Sequence, residues 1–132
     1  MQNLFVYGTL EIPQVMKKLL GTVPDTESVV LRDYARYMLV NRSYPGIIKQ
    51  DGSQVNGLLY RDISAKYLKI LDRYEDKFYR RRIVHVENTR GHAKKAWAYI
   101  IPQHHKYELS NVPWDKTSFI QQHLKRFLRV RR

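Results

Sequence analysis

A continuous apolar run, Leu4-Phe5-Val6-Tyr7, leads straight into Gly8, Thr9 and Leu10, with Pro13 three positions on. A strand with one wet face alternates apolar and polar residues. A run without alternation, stopped by a turn residue, reads instead as a short strand buried on both faces, here over residues 3–8. The rest of the chain therefore has to cover its first strand.

Most of that cover is predicted to be β. After a brief helix over residues 14–20, stopping at Gly21, come the strand-like segments "ESVVLRD" and "ARYMLVN". "RSYPG" separates these from "GIIKQ", and "DGSQ" reads as a turn into a further strand, "VNGLLYRD". "FYRRRIVHVEN" and "AKKAWAYIIP" follow, joined by the Gly-containing turn "TRGH". Beyond Pro113 a basic helix and tail occupy residues 115–132, with Phe119, Ile120, Leu124, Phe127 and Leu128 on one face. Many strands and few helices predict an α+β domain whose strands curl into a sheet or partial barrel. At 132 residues without repeats, low-complexity tracts or linkers, the chain reads as a single domain with its own core.

One helix carries a misplaced charge. Residues 64–76 open on Ser64 as a candidate N-cap. At about 100° per residue, Ile70, Tyr74, Tyr67, Leu71 and Leu68 share one arc, while Lys66, Lys69, Arg73 and Asp76 take the opposite side. Glu75 falls between Leu71 and Leu68, inside the apolar arc. Burial disfavours an ionised carboxyl and raises its pKa toward the range useful for proton transfer. Two plainer readings stand beside this one. The last turn frays and Glu75 meets water, or it pairs with Arg80, Arg81 or Arg82.

Composition removes several chemistries. Cysteine is absent, so there is no disulfide, thiolate metal site or Cys nucleophile. The adjacent His104 and His105 lack a third ligand at zinc spacing, so no metal is expected, and His85 reads as a strand residue. No P-loop, G-x-S-x-G or G-x-G-x-x-G occurs. No apolar run approaches the roughly 18 to 20 residues of a membrane span, and the N-terminus lacks a leader pattern, so a cytoplasmic protein is expected. The net charge of +12 suits either plain solubility or attraction of phosphate polymers and small anions.

"FVYGTL", "YPG", "VNGLLY", "LDRYEDKFYRR" and "AWAYI", in that order, resemble the gamma-glutamylcyclotransferase-like family, within it the small branch that includes gamma-glutamylamine cyclotransferase. The likeness runs over about residues 4 to 101 and leaves the C-terminal helix outside. It implies a small mixed or antiparallel β-barrel flanked by a few helices, with a cavity at the end of the first strand. It also implies that Tyr7, Gly8, Thr9 and Leu10 hold the substrate, that Glu75 is the acid-base residue, that Tyr79 stands near the cavity, and that Pro45 and Gly46 form its rim. The implied reaction closes a gamma-glutamyl group onto its own amine, releasing 5-oxoproline and an amine or amino acid without a cofactor. Gly8 would then let the backbone approach a ligand, its amide neighbours converging on an anion, although an ordinary tight turn explains Gly8 equally well. Two positions depart from the pattern. Asp76 stands where several relatives have a small residue, and Leu58 where an acidic one often follows the glycine.

A second function competes. Lys125, Arg126, Arg129, Arg131 and Arg132, together with Arg80 to Arg82 and Lys94–Lys95, suit a basic stripe for nucleic acid or an anionic lipid surface, with a vestigial cavity. A monomer or dimer is expected.

Overall fold

The computed structural model describes residues 2–130, the side chain of Val130 excepted. Five strands form its centre: β1 (Gln2–Val6), β2 (Thr26–Met38), β3 (Pro45–Ile63), β4 (Arg80–Asn88) and β5 (Ala93–Ile100). They close into a barrel in the order β1-β3-β2-β4-β5, antiparallel throughout except where β5 meets β1 in parallel at Leu4 and Trp97. The expected α+β class with a small mixed barrel is the fold found.

The uninterrupted apolar start of the chain has its physical reason here. Phe5 and Tyr7 point into the barrel, where they pack with Val29, Leu31, Ile47, Val55, Leu59, Val84 and Val86. Leu4 and Val6 point outward into a second core, under the helices, with Met16, Leu68, Leu71, Phe119 and Phe127. Both faces of β1 are thus removed from water.

Two strand boundaries differ from expectation. Residues 27–33 and 35–41, expected as separate strands, belong to one strand up to Met38, kinked at Asp33, where φ is 66°. Opposite that kink the register jumps from Arg32↔Gln54 to Tyr34↔Lys49. The expected turn around "DGSQ" is therefore an excursion inside β3 rather than its end, because β2 pairs with the chain on both sides of it. Gly52 takes φ 86° at its tip and donates its amide to Asp33 Oδ1 at 3.0 Å. A glycine meets that left-handed geometry without the clash a Cβ would bring.

Helices cover one side. α1 (Pro13–Leu20) begins with its proline, whose missing N–H costs nothing in a first turn. α2 (Ala65–Tyr74) is capped by Ser64, which accepts from the Tyr67 amide at 3.2 Å. The single C-terminal helix expected after Pro113 is two: α3 (Lys116–Gln122) and α4 (Leu124–Val130), broken at His123. The break aims α4 so that Phe119 and Phe127 meet edge-on, ring centroids 5.3 Å apart. Ile120, expected on the same buried face, is left 42% exposed.

Candidate active site

Where β1 leaves the barrel, Tyr7 to Ile12 form a tight turn pinned from several sides. The Glu11 amide donates to the Gly8 carbonyl at 2.9 Å and the Ile12 amide to that of Thr9 at 3.1 Å. The Tyr60 phenol donates to the Leu10 carbonyl at 2.7 Å, and Arg36 Nη1 to that of Tyr7 at 2.7 Å. Thr9 Oγ1 lies 3.2 Å from the Tyr74 hydroxyl. The first amides of a helical turn have no partner within it, so those of Gly8, Thr9 and Leu10 stand at its open end. Pro45 packs directly on Gly8: a Cβ there would lie 2.8 Å from Pro45 Cγ. The glycine is required by this close approach.

Glu75 reaches the same place by a route the helical wheel did not contain. α2 ends at Tyr74, one residue before it; Glu75 is the cap, with extended φ −75° and ψ 147°, and its amide donates to the Leu71 carbonyl at 3.1 Å. Its side chain is half-buried. Asp76, expected among the solvated charges, turns inward and accepts from the Tyr44 phenol at 2.5 Å. The tight turn that follows brings Tyr79 under the rim, where its phenol donates to the Pro45 carbonyl at 2.6 Å.

These segments enclose a pocket with about 410 Å³ of space, part of it open to solvent. Tyr7, Gly8, Thr9, Leu10, Pro45, Tyr79 and Glu75 all line it, so seven of the eight expected site residues are brought together. The eighth, Gly46, is not on the wall. It packs behind it, where a Cβ would come within 2.7 Å of Ile101 Cγ1. Glu75 is the only carboxylate among the described lining residues. Around it stand the phenols of Tyr7, Tyr44, Tyr74, Tyr79 and Tyr99. Burial, more than anything else, holds the Tyr7 and Tyr79 hydroxyls well above their ordinary range; the Glu75 charge adds to this in both. Tyr99 is raised too, chiefly by burial and then by its 2.7 Å hydrogen bond to Asp72. All three are neutral donors near neutral pH.

Several wall residues were not among the expected site residues: Phe5, Val6, Tyr44, Tyr74, Tyr99 and Phe127. Tyr44 and Tyr99 sit inside quoted motifs, and Tyr74 directly precedes Glu75, so the signal for those three was proximity. Phe127 had none, because it comes from the C-terminal helices. Its ring stands edge-on to Tyr44 at 6.1 Å and to Tyr74 at 6.4 Å, bordering the pocket on that side.

Part of the expected basic stripe is already engaged by partners within the fold. Arg81 is bound to Asp72 at 2.8 and 3.1 Å and stacks on Trp97 at 4.3 Å. Arg80 donates to the carbonyls of Lys77 and Tyr79, and Lys94 lies 3.8 Å from Glu27. Arg131 and Arg132 lie outside the described residues. His104 and His105 stack at the surface, ring centroids 4.4 Å apart, and His85 is exposed on β4. Among the described residues no group of three His, Cys, Asp or Glu could hold a metal, and no helix is long and apolar enough to cross a membrane.

The chain is similar to known proteins in sequence and in fold. The chain is 43% identical over 87 residues to AIG2-like protein C of Arabidopsis thaliana, a match covering 66% of the chain but only 51% of that relative. It is 32% identical over 132 residues to AIG2-like protein D of the same plant, covering 98% of the chain and 86% of the relative. The chain thus spans about half the length of the first and most of the second. A solution structure of another Arabidopsis thaliana protein superposes with a TM-score of 0.74 at 28% identity, over 97% of this chain and 78% of that one. The family model described as gamma-glutamyl cyclotransferase, AIG2-like, matches residues 4–116, and the chain belongs to that family.

Proposed function

We propose that this protein cyclises a gamma-glutamyl group to 5-oxoproline and releases an amine or amino acid, with Glu75 acting first as general base and then as general acid. The observation that carries the reading is the placement of one carboxylate in an aromatic pocket together with the Gly8-Thr9-Leu10 turn, whose leading amides have no partner within the turn. Family membership supports a cyclotransferase-type activity in general terms.

The chemistry asks for little more. The attacking amine and the γ-carbonyl belong to one molecule, so holding that molecule folded supplies much of the rate. Tyr7, Thr9, Leu10, Pro45 and Tyr79 shape a cavity that favours the folded conformer. As the amine nitrogen bonds to the carbonyl carbon of the γ-amide, its proton passes to the Glu75 carboxylate. The carbonyl oxygen gains charge, which the loop amides stabilise. When the original C–N bond breaks, Glu75 returns the proton to the departing nitrogen. Every atom of the substrate is recovered in the two products, so no cofactor is called for. A small metabolite of the cytoplasm is the substrate in this reading.

The test is release of 5-oxoproline from a panel of gamma-glutamyl compounds. The unaltered protein is expected to turn over at least one of them, and Glu75→Gln to reduce that rate by about 10²- to 10⁴-fold with the fold intact. A panel without turnover, or a Glu75→Gln variant at full rate, overturns the assignment.

A further inference from the structure

A second concavity lies beside the pocket. It runs between residues 38–44, the segment around Ser110 and Val112, and α4, with about 1610 Å³ of space including its open side. Tyr44 and Phe127 belong to both, forming the sill between them. The groove is apolar along Leu39, Val40 and Val112. Its charged lining is cationic: Arg42 and Arg126, with His123 between, and no carboxylate among the described lining residues. Arg42 is already engaged, 3.5 Å from Glu108 and 3.9 Å from Asp76. Arg126 is exposed on α4, and no ion pair to it is found among the described residues. His123, Arg126 and Phe127 all lie beyond residues 4–116, so this wall comes from outside the segment matched by the family model.

We infer that this groove is the subsite for the departing part of the substrate, and that Arg126 anchors a carboxylate there. The preferred substrates are then gamma-glutamyl amino acids or peptides with an apolar body and a free carboxylate, rather than gamma-glutamylamines. The inference rests on the cyclotransferase reading and adds no step to it: the amide bond from the γ-carbonyl carbon to the departing nitrogen breaks as before, with the carboxylate of the departing group held in the groove.

The alternative exit has the opposite charge. A smaller depression of about 630 Å³, sharing Glu75, Tyr79 and Tyr99 with the pocket, is lined by Asp72 and Asp76. A cationic leaving group would suit it, but both carboxylates are occupied. Asp72 holds Arg81 and Tyr99, and Asp76 accepts from Tyr44. A carboxylate that already has its donors offers less to a new cation, whereas Arg126 keeps its charge for a ligand. The chain's net +12 biases encounter toward anions as well.

Gamma-glutamyl-leucine and gamma-glutamyl-3-methylbutylamine differ only by the carboxylate, and gamma-glutamyl-1,5-diaminopentane presents a cation instead. The full chain is expected to favour the leucine compound over the neutral one by about tenfold in kcat/KM, the scale of one charge-assisted hydrogen bond at a half-open site. Arg126→Gln is expected to collapse that ratio toward one through KM, while Lys125→Gln, on the same helix outside the groove, keeps it. Equilibrium binding of the same three compounds to Glu75→Gln gives a second readout that needs no turnover. If the preference for the carboxylate is seen in binding and lost in Arg126→Gln while nothing is turned over, the groove stands and the catalytic reading falls. Equal handling of all three compounds, preference for the diamine, or a ratio untouched by Arg126→Gln overturns the subsite.

Discussion

Arg36 on β2 donates to the carbonyl of Tyr7 at 2.7 Å, so the strand that ends in the pocket turn is held from outside the pocket by a strand two places away in the barrel. The same nitrogen lies 4.0 Å from Glu11, within that turn, and the guanidinium stacks over Trp114 at 5.5 Å. Neither Arg36 nor Glu11 stood out in the sequence. Together they form the backing of the turn.

Replacing Arg36 with Met should expose how much depends on this tie. The Tyr7 carbonyl would lose a charged donor, and Glu11 would keep only Lys116, 3.9 Å away. With the Arg36 side chain 26% exposed, solvent replaces part of the loss, and a destabilisation of about 2 kcal/mol is expected in urea denaturation. Arg36→Lys should recover less than half of it, since an ammonium cannot span the same carbonyl, carboxylate and indole.

Glu11 sets a pH dependence with a definite sign. Burial raises its carboxyl above the ordinary 4.5, with Lys116 and then Arg36 pulling the other way. A raised folded-state pKa means that the native protein binds the proton more tightly than the unfolded chain. This contribution to stability is fully present below pH 4.5 and is lost as pH rises through the folded value. Glu11→Gln should therefore flatten the fall in denaturation midpoint between pH 4.5 and neutrality relative to the unaltered protein. An unchanged pH profile would contradict the burial argument.

Gly8→Ala places a methyl 2.8 Å from Pro45 Cγ and 3.0 Å from its Cδ. The expected cost is about 1–3 kcal/mol, with loss of ligand affinity because the turn or the rim has to move. Combining it with Pro45→Ala removes the colliding ring, so the double variant should be less impaired than the sum of its parts. Thermal denaturation of the four proteins gives this coupling directly.

Phe127→Ala is expected to destabilise by about 3–5 kcal/mol, the usual range for truncating a buried aromatic. The same change lowers the sill between the pocket and the groove, since Phe127 lines both. Bulkier probes should then bind to a protein whose affinity for small ones has dropped, which calorimetry can read. Phe127→Leu keeps most of the packing and should separate the two effects.

Apolar patterning and turn residues were enough to place β1, α1, β4, β5 and the start of α2, because those features depend on neighbours in the chain. A run without alternation has to be covered on both sides wherever the cover comes from. The quoted motifs likewise fixed the turn after β1 and the acid near the end of α2. The kink at Asp33, the excursion at Gly52 and the break at His123 escaped, since each is decided by what lies opposite: β3 against β2, or the aromatic core against α3 and α4. For the same reason Glu75 points into the pocket from a helix cap rather than from the wheel position that drew notice to it. Local chemistry set which residues were available. Only closure of the barrel and docking of the last helices determined that Phe127 would meet Tyr44 and Tyr74, and that Gly46 would lie behind the wall instead of on it. Contacts between residues far apart in sequence depend on how whole elements pack, and no short window of the chain encodes that.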